Sequence, residues 1–186
     1  MIRVEIVPEP EDLKQRPPAV NERTYWNAVR PALAAGFSHR CGYAGMRIPS
    51  GTIDHFVSRH ENPALTFTWS NYRYASDRMN RKKSNAPSAK MLDPYDVHDD
   101  WFAVTLPSCQ LILTDALPDA YRERALFTLK RLGLRDGDFV LQHRRHWLEQ
   151  YERGDASLTL LDLHEPQLAR AIRRQNWPTR ADRPDA

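Results

Sequence analysis

The residues best suited to chemistry lie between positions 54 and 83 of the chain. Asp54 and His55 are adjacent, and two asparagines follow at Asn71 and Asn80. A histidine titrates near neutral pH, so it can take a proton from water as a general base. Carboxylate and amide oxygens are the ligands that hard divalent cations prefer. These residue types would suit hydrolysis of a phosphodiester, in which a base activates water and a cation stabilises the charge on the leaving oxygen.

Positive charge is concentrated on the same segment, although the formal net charge of the whole chain is only +3. Residues 70–90 contain a single acidic residue, and the basic ones are Arg73, Arg78, Arg81, Lys82, Lys83 and Lys90. Such clustering is typical of a surface that binds phosphates. A solvated helix face is the alternative interpretation. The residues expected to contact nucleic acid are Arg78, Arg81, Lys82 and Lys83.

The elements that position these residues are predicted to be short. Two strands are expected around the turn at Pro49-Ser50-Gly51, one over residues 41–48 and one over 52–56. A loop follows over residues 57–70, and Ser76 can cap a short helix that ends near Lys83. This order would bring Asn80 back toward the strand ends. A loop amide at Asn71 could hydrogen-bond the backbone near His55 and orient the imidazole.

The rest of the chain predicts an α+β protein with one domain over residues 1–176. A strand is expected at Arg3–Val7 and a helix over residues 22–35, with Asn21 as its cap and Pro31 inside it. The later strands and helices are expected at 101–105, 110–114, 119–132, 138–152 and 158–174. The core would span about residues 41–90 and a helical part residues 119–176. The tail over 177–186 is expected to be disordered.

Two stretches, TIDHF at 52–56 and WSNYRYASDRMNRKKSN at 69–85, resemble the HNH domain of the CRISPR RNA-guided nuclease. In that domain the second and third signature positions are also asparagine. The chain is also similar to bacterial HNH proteins that accompany anti-phage and restriction systems. That similarity lies in Cys41-Gly42-Tyr43, Asp93-Pro94 and Trp101-Phe102, so the resemblance covers roughly residues 41–102.

The resemblance implies a ββα-metal (HNH) core, braced by the N-terminal strand and helix and by the C-terminal helices. It implies that His55 is the general base and that Asn71 positions it. It further implies that Asp54 and Asn80 hold one Mg²⁺ or Mn²⁺, and that Lys83 faces a phosphate. The substrate would be DNA, cut to a 5′-phosphate and a 3′-hydroxyl. A defence-system ATPase is the kind of protein partner that it implies.

The cysteines separate this chain from many HNH proteins, which bind a structural zinc through two CxxC pairs. Here Cys41 is followed by Ala44 where the second cysteine would stand, and the other cysteine is Cys109. No structural zinc is therefore expected, and packing by Phe56, Trp69 and Tyr72 would replace it. Two cysteines also exclude a disulfide framework and favour the reducing cytosol.

Other interpretations stay open at this stage. The chain has no apolar run long enough for a signal peptide or a membrane span, so a cytoplasmic protein without a membrane partner is expected. His143 and His146 have helical i, i+3 spacing and form an alternative metal pair. A non-catalytic module that binds nucleic acid or a partner on the HNH scaffold is the alternative function. An RNase or toxin-type nuclease is a third possibility.

Overall fold

The chain folds as an α+β protein in a computed structural model that describes residues 1–14 and 22–182. The strands are β1 (Thr52–His55), β2 (Tyr72–Ala75), β3 (Phe102–Val104) and β4 (Leu111–Leu113). The helices are α1 (Glu11–Lys14), α2 (Glu22–Gly36), α3 (Asp77–Lys83), α4 (Asp119–Leu132), α5 (Asp138–Arg153), α6 (Leu158–His164) and α7 (Pro166–Gln175). None of the helices in the described ranges has the length and apolar character that a bilayer span requires.

The strands form two separate antiparallel hairpins. In the first, His55 lies opposite Tyr72 and Thr52 lies opposite Ala75. The connection between β1 and β2 is the long loop over residues 56–71, and α3 begins almost directly after β2. The second hairpin joins β3 to β4, which lie within the two strands predicted at 101–105 and 110–114. The order β1, loop, β2, α3 therefore places the catalytic candidates on contiguous elements.

Local sequence explains several boundaries. Ser76 caps α3, because its side chain accepts a hydrogen bond from the Met79 amide. Gly133 and Gly154 end α4 and α5 in the left-handed region, at φ values of 65° and 84°. The predicted helix α3 and the predicted bounds of α4 are confirmed.

Two strand predictions are wrong. Residues 3–7 lie outside the strands, and the carbonyl of Val7 accepts a hydrogen bond from the Trp69 indole instead of a neighbouring strand. Residues 41–48 turn back on themselves at Gly45, whose amide donates to the Cys41 carbonyl at 2.7 Å. The chain therefore makes only an isolated bridge there, and the second strand of the sheet is Tyr72–Ala75.

Other differences lie at the ends of elements. The helix predicted over residues 158–174 is two helices, since Pro166 begins α7 and cannot continue α6. Residues 11–14 form a short helix, whose Leu13 is buried. Trp177, in the tail predicted to be disordered, donates from its indole to Glu152 at 2.9 Å. The proposed cap Asn21 and residues 183–186 lie outside the described residues.

Helix α2 packs on the β1–β2 hairpin. Its residues Tyr25, Val29 and Leu33 are buried and Trp26 is half-buried. Pro31 lies inside the helix without ending it. Helix α3 also contacts β1, and it packs in turn on α4, where its Lys82 donates to the Leu132 carbonyl.

Candidate active site

Three of the predicted site residues, Asp54, His55 and Asn80, line one groove of about 390 Å³. Strand β1 contributes the first two and helix α3 contributes the third. The other residues that line this groove are Trp26, Arg30, Thr52, Ile53, Ser58, Arg59, Ser84 and Asn85. The groove therefore brings together parts of α2, β1, the following loop and α3.

Asp54 is almost fully buried and each of its oxygens accepts a hydrogen bond. Oδ2 accepts from the Tyr43 hydroxyl at 2.6 Å, and Oδ1 accepts from Nζ of Lys83 at 3.0 Å. Burial and the charge of Asp54 raise the pKa of Tyr43 well above its usual value, so the phenol stays a donor. The ammonium of Lys83 and the phenol of Tyr43 thus each donate to a different oxygen of the Asp54 carboxylate.

Lys83 is buried, and not at the surface position expected of a residue that contacts a phosphate. Its side chain is fully buried, because Nζ is held between Asp54 and the carbonyl of His55, at 2.6 Å from the latter. The lysine neutralises a buried carboxylate, which would otherwise be costly to desolvate.

The other basic residues of the segment divide into bound and exposed ones. Lys82 is partly buried and donates to the Leu132 carbonyl at 3.0 Å. Arg73 is buried and forms a two-bond ion pair with Asp93. Arg78 and Arg81 are exposed. They are the two residues at the surface among the four predicted to contact nucleic acid.

His55 keeps one ring nitrogen for chemistry. Its Nε2 lies 2.8 Å from the carbonyl of Thr66. A carbonyl only accepts, so Nε2 carries the proton and Nδ1 is the basic nitrogen of the neutral ring. Desolvation lowers the pKa of His55 from its usual 6.5, although the bond to Thr66 opposes this shift. The ring is therefore neutral near pH 7 and able to accept a proton.

Aromatic side chains fix the plane of this imidazole. The ring centroids of Trp26 and Tyr72 lie 5.4 and 5.3 Å from that of His55, at nearly perpendicular angles. Trp26 itself stacks on Phe67 of the loop. The imidazole is consequently held on two sides by rings of α2 and β2.

Asn71 acts on the loop that follows His55. Its Oδ1 accepts from the Val57 amide at 2.8 Å, and its Nδ2 donates to the carbonyls of Val57 and Leu65. Leu65 immediately precedes Thr66, the partner of the imidazole. Asn71 does not line the groove, and its bonds match the loop-holding role suggested by the sequence.

The pair Asp54 and Asn80 offers one carboxylate and one amide to the groove. No cluster of three or more His, Cys, Asp or Glu residues that could hold a metal occurs in the parts of the chain that the structure describes. Mg²⁺ usually keeps several waters and binds through one or two carboxylates together with substrate phosphate. Asp54 and Asn80 are of the residue types that hold such a cation, although both oxygens of Asp54 already accept hydrogen bonds, from Tyr43 and from Lys83.

Sequence reasoning missed Trp26, Arg30 and Arg59. Trp26 and Arg30 are one helical turn apart on α2, a spacing that places them on the same face. Arg59 follows His55 by four residues, and its charge contributes to the lowered pKa of that histidine. No motif links α2 to the groove, so only the packing of this helix on the hairpin reveals it.

No family model matches this chain, and a search of curated proteins found no match. The groove and its residues therefore carry the functional proposal by themselves.

Proposed function

We propose that this protein is a metal-dependent endonuclease of the HNH, or ββα-metal, type that hydrolyses phosphodiester bonds in DNA. The observation that supports this proposal is the convergence of Asp54, His55 and Asn80 on one groove. The β1, β2 and α3 elements that carry and support these residues follow one another in the order of a ββα unit.

Each residue has a distinct part in the proposed reaction. Nδ1 of His55 takes the proton of the attacking water, since Nε2 is already bonded to Thr66. Asn71 positions the base by holding the loop that carries Thr66. Asp54 and Asn80 would hold Mg²⁺ or Mn²⁺, which would stabilise charge on the leaving 3′-oxygen.

Positive side chains around the groove support a polyanionic substrate. Arg30 and Arg59 line the groove, and Arg78 and Arg81 are exposed on α3. Such contacts bind the phosphate backbone and carry little sequence information. We therefore propose that a protein partner directs the enzyme to its target. The resemblance implies a defence-system ATPase as the kind of partner. We further propose that the protein acts in the cytoplasm.

A plasmid-nicking assay tests the proposal directly. Wild type should cut supercoiled DNA with Mg²⁺ or Mn²⁺ and not with a chelator. His55→Ala should lower the rate by about 10²- to 10⁴-fold, the usual contribution of a general base. The matched control is His60→Ala, because His60 is exposed in the same loop and does not line the groove. Equal rates for wild type and His55→Ala would exclude the proposed base.

A second candidate function is a non-catalytic nucleic-acid-binding module. The observation that favours it is the ion pair of Asp54 with Lys83, which already neutralises the groove's carboxylate. The same plasmid, together with RNA of matched sequence, separates the candidates. Binding without cleavage of either polymer supports the module, whereas preferential RNA cleavage supports an RNase.

A further inference from the structure

Helices α3 and α4 are joined at their C-terminal ends by two reciprocal hydrogen bonds. Nζ of Lys82, on α3, donates to the Leu132 carbonyl at 3.0 Å. In return, Nη2 of Arg131, on α4, donates to the Lys83 carbonyl at 3.2 Å. Each helix thus receives a cation at the end where its carbonyls lack partners within the helix. These bonds fix the position of α4 relative to the helix that carries Asn80.

Arg131 is therefore held at the edge of the groove. Its carbonyl partner belongs to Lys83, and the next two residues, Ser84 and Asn85, line the groove. Arg131 is exposed despite this bond. A guanidinium carries several N–H donors, so one bond to a carbonyl leaves others for a phosphate. This charge lies outside the ββα unit, because α4 follows the β3–β4 hairpin in the chain.

Further basic residues continue from Arg131 along α4. Lys130 precedes it, and Phe127 lies one helical turn earlier on the same face. The ring of Phe127 lines a cavity of about 220 Å³ together with Arg124 and Lys90. We call Lys90, Arg124, Phe127, Lys130 and Arg131 the α4 patch.

The α4 patch carries an excess of positive charge. Arg124 is the one cation of the patch that takes part in an ion pair among the described residues. It lies 3.9 Å from a carboxylate oxygen of Asp96, and both side chains are partly exposed, so water screens the pair. Glu123 is the acidic residue that lines the cavity. The other cations are therefore available to an anionic polymer.

We propose that the α4 patch binds the phosphate backbone of DNA where the polymer leaves the groove beside Ser84 and Asn85. This inference rests on the proposed function, because the groove sets the path of the substrate. At 1.5 Å per residue, the patch extends about 10 Å from Arg124 to Arg131. That length corresponds to about three nucleotides of one DNA strand. Phosphate contacts carry little sequence information, so α4 strengthens binding without selecting a site.

The salt dependence of DNA binding tests the patch. The anisotropy of a fluorescein-labelled duplex is measured at several salt concentrations in the His55→Ala background, so that the duplex stays intact. Lys90→Gln/Lys130→Gln should reduce the slope of log affinity against log salt by about two, since each lysine on a phosphate contributes about one. Affinity at low salt should fall by about tenfold or more.

A matched control removes the same charge elsewhere. Arg122→Gln/Arg174→Gln takes one arginine from the side of α4 opposite Arg131 and one exposed arginine from α7. This variant should keep the salt slope of the parent protein. Arg131→Gln should lower the slope by about one. Because Arg131 also bonds the end of α3, the exposed lysines Lys90 and Lys130 decide the test if that variant does not fold.

Plasmid nicking with His55 intact separates binding from chemistry. Lys90→Gln/Lys130→Gln should raise KM by about tenfold and leave kcat nearly unchanged, because the patch holds bound DNA and does not touch the reacting atoms. A fall in kcat at unchanged KM would contradict this role.

The outcomes separate this inference from the proposed function. An unchanged salt slope in the folded lysine double variant, while wild type still cuts plasmid, overturns the inference alone. A reduced slope in a protein that binds the duplex but never cuts DNA supports the patch and overturns the nuclease. If poly-L-glutamate displaces the duplex as well as unlabelled duplex of equal charge does, the patch fits an acidic protein and the inference fails. Absence of duplex binding and of cleavage overturns both proposals.

Discussion

The ion pair between Asp54 and Lys83 yields a quantitative prediction about stability. The two side chains are 2% and 1% exposed, and the carboxylate oxygen and Nζ lie 3.0 Å apart. Deleting one partner leaves the other charge buried without compensation, so Lys83→Met or Asp54→Asn should each lower the free energy of unfolding. We expect the loss to be about 3–5 kcal/mol for each variant, since in Asp54→Asn a single amide oxygen cannot accept from both Tyr43 and Lys83.

The double variant Asp54→Asn/Lys83→Met should be more stable than Lys83→Met alone. It removes both charges together and loses chiefly the bond from Lys83 to the His55 carbonyl, worth about 1 kcal/mol. Urea unfolding followed by tryptophan fluorescence measures all four proteins. In a thermal melt each kcal/mol should appear as about 2–4 °C for a chain of this size.

The control for this cycle lies on the same helix. Arg81 and Asp77 of α3 form an ion pair at 3.9 Å whose side chains are 76% and 72% exposed. Removing either should cost less than about 1 kcal/mol, because water screens the pair. Small, additive effects of the Asp54 and Lys83 variants, like those of this control, would mean that Lys83 is solvated and does not form a buried ion pair with Asp54.

Three further predictions concern pH and backbone conformation. Because the pKa of His55 lies below 6.5, cleavage should fall only as pH drops below that value, and an acid limb centred above it in the rate profile would contradict the assignment. Burial raises the pKa of Glu165 from 4.5 to about 7. The unfolding free energy of wild type should therefore fall as pH rises from 4.5 to about 7. Glu165→Gln, which cannot titrate, should lack this fall when both proteins are unfolded by urea at several pH values. Gly133→Ala should cost about 1 kcal/mol or more in the same melts, since φ is 65° and the new Cβ would lie 2.7 Å from Nζ of Lys82; Gly154→Ala, with φ 84° and open space, isolates the backbone part.

Sequence reasoning located the groove's central residues because they lie close together along the chain. Asp54, His55 and Asn80 fall on β1 and on α3, and the Ser76 cap fixed the start of that helix. Residue type and short-range spacing were enough to place them. The loop-holding bonds of Asn71 were anticipated on the same basis.

The remaining features depend on partners far away in the sequence. Lys83 was interpreted as a surface residue because its partner, Asp54, lies 29 residues earlier and no local pattern reveals the burial. Strand β2 is buried at all four residues, and the carboxylate that pairs with its Arg73 is Asp93, 20 residues later in the chain. The groove wall formed by Arg30 depends on how α2 packs.

The position of α2 determines how long a fragment must be to keep the groove intact. A fragment cut before Cys41 would keep every residue that makes the sequence recognisable, yet it would lose Trp26 from beside the imidazole and Arg30 from the wall of the groove. It would also lose the Val7 carbonyl that the Trp69 indole requires. The smallest fragment that keeps the groove is therefore longer than the stretch that carries the resemblance. Any fusion or transplant of this nuclease candidate has to include the first helices.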